Sequence, residues 1–475
     1  MHFFIKNKKI KNILQNIIKK HHIFQKLLSQ VGLLLKALLL LFSCSKYFCV
    51  IYYFSMNEKR IAVSENLEKL ALKLKSRADI FLVGGYVRNA IMGFCETDVD
   101  LASEISPDEL KQMLKYSDFK VIEKSKKLGT VLIRIGDEEY EHTTFRKEVY
   151  DDSGKHQPES AEFVSDIRED AKRRDFTCNC VYYNLTHRRY VDIYSGAYDI
   201  SKHLIRCVET PGYVFENDGL RILRMVRQSA ELNFKIHKET YYTAKSMTYR
   251  LKDISGQRKL NELKLILYAD QKYSISKPKA HIKALNMFND LRLFPLFYVP
   301  CDKVKLTMIK KIKHEDRFIA LLIDIVNAVN PDCVEYYLKD LLGAKGLCMG
   351  KASEEYIKVV CGYFDALNRR NNKEYFFKYY DSFSTIREYL KYTNKKLYEK
   401  YNFFYRYLLN QKIPVRIKDL NIDGNDIKKA LPKLDEKNIS GILKQLLDSV
   451  FENEIANEKS ALISEVKRIG NFRNN

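Results

Sequence analysis

The 475-residue sequence contains few of the residues that interrupt helices and no pair of cysteines at zinc-site spacing. Its 18 glycines and 9 prolines fall far below average usage, which argues against a turn-rich, all-β protein and favours long helices. The 10 cysteines include no C-x-x-C pair, so we expect reduced, mostly buried thiols and neither a disulfide framework nor a zinc site. A hydrophobic share of 46% excludes wholesale disorder. These features predict a helix-rich globular protein of several domains.

Acidic residues are absent from positions 1–57, which carry nine lysines. The apolar stretch within this segment, VGLLLKALLLLFSC at 31–44, is shorter than the roughly 20 residues that cross a bilayer, so we expect no stable membrane partner. An acid-free basic leader favours targeting to an organelle, either a mitochondrion or a plastid. The alternatives are a membrane anchor and translation from Met56, which would leave a cytosolic protein. The net charge of +22 indicates a polyanionic partner.

Hydrophobic patterning of the remaining chain predicts an α+β fold, in which a mixed β-sheet head is followed by an all-α neck, body and tail. A helix is expected at 58–78. The turn Gly136-Asp137 closes a hairpin, and strands are expected at 80–83, 98–101, 131–135, 139–145, 176–183 and 190–193. From about residue 212 the pattern is almost wholly helical. The predicted domains are the head at 58–205, the neck at 206–275, and the body and tail at 276–475.

Two glycines, an arginine and two aspartates form the first group of candidate site residues: Gly84, Gly85, Arg88, Asp98 and Asp100. Glycines between a strand and a helix let backbone N–H groups approach a phosphate at the helix N-terminus, and Arg88 adds a bidentate phosphate contact. Asp98 and Asp100 stand two residues apart, so both carboxylates face the same side of a strand. Such a pair of hard oxygen ligands suits Mg²⁺, which takes its other ligands from water and substrate phosphates. The group predicts metal-assisted phosphoryl transfer.

Asp218, Arg221, Arg224 and Arg227 recur at every third position and predict a polar stripe on one helix. An Asp with an Arg one turn away can read a nucleobase, because the carboxylate accepts from the amino group of C or A and the guanidinium donates to the neighbouring ring nitrogen or carbonyl. G or U would set an oxygen against the carboxylate and leave two acceptors unpaired. The stripe therefore predicts selection of CTP and ATP without a nucleic-acid template. The alternative is a solvated face with intrahelical ion pairs.

These two groups, in this order, resemble the signature of class II tRNA nucleotidyltransferases (CCA-adding enzymes) and bacterial poly(A) polymerases, and they are most similar to bacterial-type CCA-adding enzymes. LGTV at 128–131 with YEHTTFR at 140–146 resembles the family's third-carboxylate strand, DDSGKHQPESAEF at 151–163 its flexible loop, and EDAKRRDFT at 169–177 its ribose motif. Residues 191–206 resemble its connector, SGQR at 255–258 its head–neck motif, and 417–469 its tail helices. The resemblance implies a nucleotidyltransferase-type head, with a body and tail that bind tRNA.

The resemblance assigns Asp98 and Asp100 to catalysis and to the binding of two Mg²⁺ ions, with Glu141 as a third catalytic carboxylate. Glu141 could complete the metal shell or orient its waters, and the alternative is a surface carboxylate on an edge strand. Arg174 and Asp175 would contact phosphate and a ribose hydroxyl, unless they form an internal ion pair. The nucleotide-binding residues that the resemblance implies are Gly84, Gly85, Arg88, Arg174, Asp175, Asp218, Arg221, Arg224 and Arg227.

Within that set, the resemblance implies that Asp218 and Arg221 read the base, while the arginines at 224 and 227 bind the triphosphate. One position departs from the family pattern: Asn217 directly precedes Asp218 where the family usually has Glu, and Glu216 is displaced by one. If the usual Glu only braces the arginine, Glu216 or Asn217 can take its place. Gln257 in the head–neck motif stands where Glu is common, and a helix cap with a surface ion pair is the alternative interpretation of that motif.

The expected activity is the template-independent addition of C, C and A to the 3′ end of tRNA from CTP and ATP, with two Mg²⁺ ions and release of pyrophosphate. CC-only addition, A-only addition and poly(A) tailing are alternatives with the same chemistry. A catalytically silent RNA-binding protein is the alternative of another class, and the intact aspartate pair argues against it. The sequence leaves the oligomeric state open.

Overall fold

The computed structural model describes residues 60–94, 98–149, 160–368, 372–432 and 434–473. The expected leader at 1–57 lies outside the described residues, as does most of the expected flexible loop, of which 160–163 forms a strand. Within the described ranges, no helix is both long enough and apolar enough to cross a membrane.

The head contains five helices and ten strands among its described residues. Its helices are α1 (Glu65–Leu74), α2 (Gly85–Met92), α3 (Pro107–Leu114), α4 (Ile167–Lys172) and α5 (Gly196–Ser201). Its strands are β1 (Phe81–Val83), β2 (Val99–Ser103), β3 (Lys120–Ser125), β4 (Thr130–Ile135), β5 (Glu138–Thr144), β6 (Arg146–Val149), β7 (Ser160–Phe163), β8 (Val181–Asn184), β9 (Arg189–Asp192) and β10 (Leu204–Ile205).

Seven of these strands form one mixed sheet in the order β3-β4-β5-β2-β1-β8-β9. The pair β2–β5 is parallel and the other neighbours are antiparallel, while β6 and β7 form a separate antiparallel ribbon. The expected hairpin is confirmed as β4 and β5. This sheet sets Asp100 of β2 beside both Val83 of β1 and Glu141 of β5, so the glycine loop and three of the predicted carboxylates meet at one edge.

Two expected elements of the head are wrong in part. The helix expected at 58–78 begins only at Glu65, because the Ser64 hydroxyl accepts a hydrogen bond from Leu67 N–H and caps it there. The strand expected at 176–183 is a 3₁₀ turn at Thr177–Asn179 followed by β8. Polar side chains cause this break, since Thr177 donates to Asp199 and Asn179 donates to Asp175, and such local contacts compete with a strand.

The neck is helical apart from one two-residue strand. Its elements are α6 (Pro211–Asn217), α7 (Leu220–Glu231), β11 (Lys235–Ile236), α8 (Lys238–Ser246) and α9 (Gly256–Leu267). The strand β11 departs from the expected all-α neck, and it pairs in parallel with β10 of the head. This pairing joins the neck to the head, and α7 packs against both strands.

The body and tail are helical throughout their described residues, as expected. The body helices are α10 (Ala280–Asp290), α11 (Met308–Lys311), α12 (Arg317–Val329), α13 (Val334–Leu342), α14 (Ser353–Asn368), α15 (Asn372–Tyr379), α16 (Phe383–Thr393) and α17 (Lys395–Asn410). The tail helices are α18 (Gly424–Ala430), α19 (Ile439–Phe451) and α20 (Lys459–Arg473). One continuous apolar core extends from Leu67 of the head to Val415, and the tail adds a small core of its own from Leu420 to Val466.

Candidate active site

A cavity of about 590 Å³ lies between the head and the neck. Eleven of the twelve predicted site residues line it: Gly84, Gly85, Arg88, Asp98, Asp100, Arg174, Asp175, Asp218, Arg221, Arg224 and Arg227. The twelfth, Glu141, lines a neighbouring cavity of about 850 Å³ that also reaches Asp98 and Asp100. The fold therefore brings together residues spread over more than a hundred positions of sequence, while their individual roles stay predictions.

The glycine loop between β1 and α2 requires glycine at its first position. Gly84 has φ +78°, a conformation that side chains rarely adopt, and a Cβ there would lie 3.0 Å from the Asp100 Oδ2 atom. A Cβ on Gly85 would lie 3.4 Å from Arg88 Nη2, which is a tolerable contact. The backbone of Gly84 thus lies directly against the carboxylate of Asp100.

Asp98 and Asp100 are both reached by solvent through the cavity. Asp98 is 81% exposed, and its Oδ2 atom lies 3.8 Å from Lys272 Nζ. The surrounding protein removes much of the water around Asp100, and this desolvation raises the pKa of its carboxyl to about 6; Arg174 opposes the rise, while Glu141 and Asp98 add to it. Two accessible carboxylates that repel each other in this way form a hard-oxygen pair able to hold a divalent cation.

Glu141 lies beside Asp100 on the neighbouring strand. Its carboxylate forms a 2.6 Å ion pair with Lys124 and is 42% exposed. In the parts of the chain that the structure describes, no three His, Cys, Asp or Glu side chains converge as metal ligands do. Glu141 raises the pKa of Asp100 through its charge, and its role as a third catalytic carboxylate stays a prediction.

Arg174 and Asp175 each form an internal ion pair, although not with each other, so both the ion-pair alternative and the predicted contact with the nucleotide stay open. Arg174 donates to Asp170 at 2.9 Å and to Tyr182 at 2.8 Å. Asp170 is fully buried; burial alone would raise its pKa, but the guanidinium groups of Arg173 and Arg174 hold it well below its usual range. Asp175 instead accepts from Arg224 of α7. Each member of the ribose motif is therefore held by a separate partner.

Two further cavity arginines, Arg88 and Arg227, are also held by protein partners. Arg88 donates to Asn179 at 2.5 Å and to the Tyr273 hydroxyl at 3.1 Å. Arg227 donates to Glu231 at 2.9 Å and to Glu262 of α9 at 2.8 Å. Pre-set guanidinium groups of this kind lose little side-chain freedom when they bind an anion.

The expected polar stripe is wrong at its first residue. Helix α7 begins at Leu220, and Asp218 precedes it in extended backbone, where its carboxylate accepts from Leu220 N–H at 3.0 Å. Arg221, Arg224 and Arg227 lie in the helix, and the opposite face is buried as expected through Ile222, Leu223, Val226 and Ala230.

Asp218 and Arg221 line the same cavity but have different partners. The Asp218 carboxylate pairs with Arg258 at 3.1 Å. Arg221 is buried, and its guanidinium donates to the backbone carbonyls of Val214 at 3.2 Å and Arg173 at 2.5 Å. The proposed base-reading groups are therefore held in place independently.

Sequence reasoning missed several residues of the cavity, among them Glu148, Arg173, Arg258, Lys272 and Tyr273. Arg258 had a signal, because it belongs to the head–neck motif SGQR. Ser255 does cap α9 as that motif's alternative interpretation expects, but the Arg258 side chain reaches the cavity rather than a surface partner. Lys272 and Tyr273 lie between α9 and α10, where no motif marks them.

The chain is similar in sequence to a poly(A) polymerase domain and to CCA-adding enzymes. A family model described as the poly(A) polymerase head domain matches residues 80–206. The CCA-adding enzyme of Staphylococcus epidermidis is 30% identical over 243 residues, which are 51% of this chain and 59% of the relative. The predicted resemblance is confirmed. The chain spans somewhat more than half the length of this curated relative.

The fold of the CCA-adding enzymes extends over most of the chain. The structure of the Bacillus stearothermophilus CCA-adding enzyme in complex with CTP superposes with a TM-score of 0.63 at 20% identity, covering 86% of this chain and 98% of that one. The Thermotoga maritima CCA-adding enzyme complexed with tRNA superposes with a TM-score of 0.56 at 17% identity, covering 87% and 97%. The predicted α+β class, with a nucleotidyltransferase-type head followed by helices, is confirmed.

Proposed function

We propose that this protein adds C, C and A to the 3′ end of tRNA without a nucleic-acid template, consuming CTP and ATP and releasing pyrophosphate. The main support for the proposal is the cavity between head and neck. An accessible aspartate pair, a glycine loop and several arginines line it together with Asp218 and Arg221 at the start of α7. The names of the relatives support it, since the two solved structures described above are CCA-adding enzymes, one in complex with CTP and one with tRNA.

The triphosphate binds where the positive charge is concentrated. Arg88, Arg174, Arg224 and Arg227 all reach the cavity, and the glycine loop presents backbone N–H groups at the start of α2. Seven arginines and one lysine line the cavity against six carboxylates, so its net positive charge favours a polyanion. Binding here sets the α-phosphate near the aspartate pair.

Asp98 and Asp100 are the residues that would hold Mg²⁺, because both are accessible, both present hard oxygen atoms, and their mutual repulsion is relieved by a cation. The chemistry that two bound Mg²⁺ ions supply at such a pair is activation of the attacking hydroxyl and stabilisation of the leaving pyrophosphate. The 3′-hydroxyl of the RNA attacks the α-phosphate, a new phosphodiester bond forms, and the bond to the β-phosphate breaks.

Asp218 and Arg221 select the base. The Asp218 carboxylate accepts from the amino group of C or A, and Arg221 donates to the adjacent acceptor. Because Arg221 is held by two backbone carbonyls, its direction is set before the nucleotide arrives. A base that presents an oxygen to Asp218 would leave two acceptors unpaired in a partly desolvated site.

Single-nucleotide extension of tRNA tests the proposal. The full chain is incubated with Mg²⁺ and tRNA transcripts that end before CCA, after C, and after CC, each with one of the four nucleoside triphosphates. We expect C on the first two transcripts and A on the third. Absence of incorporation would exclude the enzyme, and UTP or GTP use equal to CTP use would exclude selection by the protein. CC-only, A-only and poly(A) products are separate outcomes of the same assay.

We propose further that residues 1–57 direct the protein to an organelle. The proposal is supported by the nine lysines and the absence of acidic residues in this segment. A fluorescent fusion of residues 1–57 is expected to accumulate in a mitochondrion or plastid. A diffuse cytosolic signal would contradict the proposal and favour translation from Met56.

A further inference from the structure

The base-reading arginine of this chain lacks the neighbour that the family pattern gives it. Asn217 stands where the resemblance implies Glu, and Glu216 directly precedes it. Glu216 does not replace it, because its side chain is 53% exposed and pairs with Arg250 at 3.2 Å. The charge of Arg221 must therefore be balanced from another element.

Glu148 of β6 is the carboxylate that the described residues bring within ion-pair distance of Arg221. Its Oε2 atom lies 3.9 Å from Arg221 Nη2. Its Oε1 atom accepts from Arg146 Nη2 at 3.1 Å and from Arg173 Nη1 at 3.5 Å. The side chain is 9% exposed and lines the cavity. One buried carboxylate thus faces three guanidinium groups.

The three arginines differ in how strongly they depend on this carboxylate. Arg146 also donates to the Leu128 carbonyl at 2.6 Å, and Arg173 has a second carboxylate partner in Asp170 at 2.7 Å. Arg221 is fixed by neutral carbonyls, one of which belongs to Arg173 itself. A change at Glu148 would therefore act on Arg221 twice, through the lost charge and through the position of Arg173.

We propose that Glu148 is a positioning residue for base selection, which holds Arg221 and Arg173 in the geometry that reads C and A. This inference rests on the proposed function. It identifies Glu148 as the residue that gives Arg221 an acidic partner, which Asn217 does not supply. Glu148 does not touch the reacting atoms, so its effect is on the choice and binding of the nucleotide rather than on phosphoryl transfer.

The test compares Glu148→Gln with the full wild-type chain, using steady-state extension of tRNA lacking CCA with each of the four triphosphates. We expect kcat/KM for CTP and ATP to fall about tenfold while the slow use of UTP and GTP stays unchanged, so that discrimination falls by the same factor. Glu148→Asp keeps the charge and is expected to restore part of the discrimination. Glu216→Gln is the matched control, and it should leave nucleotide choice unchanged.

A purely structural role predicts a different result, in which all four triphosphates lose activity together or the thermal midpoint falls with no change of discrimination. Either outcome, or a loss of discrimination in Glu216→Gln alone, would overturn the proposal. Equilibrium dialysis of labelled CTP and UTP without tRNA tests the role of Glu148 separately from the proposed extension of tRNA. Preferential CTP binding by wild type that Glu148→Gln loses supports the role of Glu148 even if tRNA is not extended, whereas equal binding of CTP and UTP by wild type overturns it.

Discussion

Arg224 binds Asp175 through two N–H groups directed at one carboxylate oxygen, with Nε at 2.8 Å and Nη2 at 2.7 Å from Oδ2. The other oxygen, Oδ1, accepts from the backbone N–H of Phe176 at 2.8 Å and from Asn179 at 3.1 Å. Burial alone would raise the pKa of Asp175, but Arg224 and these hydrogen bonds hold it well below its usual range. This contact joins the ribose motif of the head to α7 of the neck.

Asp175→Asn should destabilise the protein, because it leaves Arg224 facing a neutral group. Arg224 is 37% exposed, so we expect a loss of about 2 kcal/mol in the free energy of unfolding at pH 7, less than for a fully buried pair. The folded-state pKa of Asp175 lies below its unfolded value, so this contribution is present above about pH 4 and disappears as acid is added. Urea unfolding of the wild type and of Asp175→Asn measures this contribution to stability. Glu139→Gln breaks the exposed pair with Arg134 and should change stability by less than about 0.5 kcal/mol.

Gly84→Ala and Gly85→Ala should differ although the two residues are adjacent. Gly84→Ala forces a side chain into a left-handed backbone and against the Asp100 carboxylate, at a cost of about 1–3 kcal/mol in stability and with loss of most activity. Gly85 has no such constraint, and Gly85→Ala should retain substantial activity. Extension assays and thermal unfolding of the two variants check this, and equal effects would contradict the geometry.

Asp98→Ala and Asp100→Ala should each lower nucleotide incorporation on the order of 10³-fold or more, because either change removes a metal ligand. Neither should unfold the protein. The pKa of Asp100 is raised, so its charge is unfavourable in the folded state and its removal is expected to leave the thermal midpoint unchanged or slightly higher. Retained activity in either variant would remove that residue from the metal site.

His142 should make the protein sensitive to mild acid. It is fully buried, its Nε2 atom is 2.8 Å from Ser103 Oγ, and burial lowers its pKa to about 3. The unfolded chain binds a proton near pH 6.5, so stability falls as the pH is lowered from about 6.5 toward 3, by up to about 1.4 kcal/mol per pH unit.

Urea unfolding at pH 7 and pH 5 measures the contribution of His142. His142→Gln should lower stability at pH 7 but flatten its dependence on pH. His187→Gln changes an exposed histidine and serves as the control, which should keep the wild-type dependence. A wild-type slope that persists in His142→Gln would assign the acid sensitivity to other groups.

The spacing of short motifs predicted the resemblance to CCA-adding enzymes, a mixed sheet followed by helices, and eleven of the residues that line the cavity. The β4–β5 hairpin and the buried face of α7 followed from local patterns of apolar and turn residues. Local patterns failed where a polar side chain made a nearby contact, as at Ser64, at Asp218 and in the turn Thr177–Asn179.

The sequence did not predict which distant residues contact the charged groups of the cavity. Arg258 meets Asp218 from 40 positions away, Arg224 meets Asp175 from 49, and Arg88 meets Tyr273 from 185. Sequence by itself determined which residue types are present, at what spacing, and on which faces of local elements, because periodicity is a property of neighbours along the chain. Only the tertiary structure decided which groups hold Arg88, Arg224 and Arg258, because each of these contacts joins elements that are far apart in sequence and meet only in the folded chain.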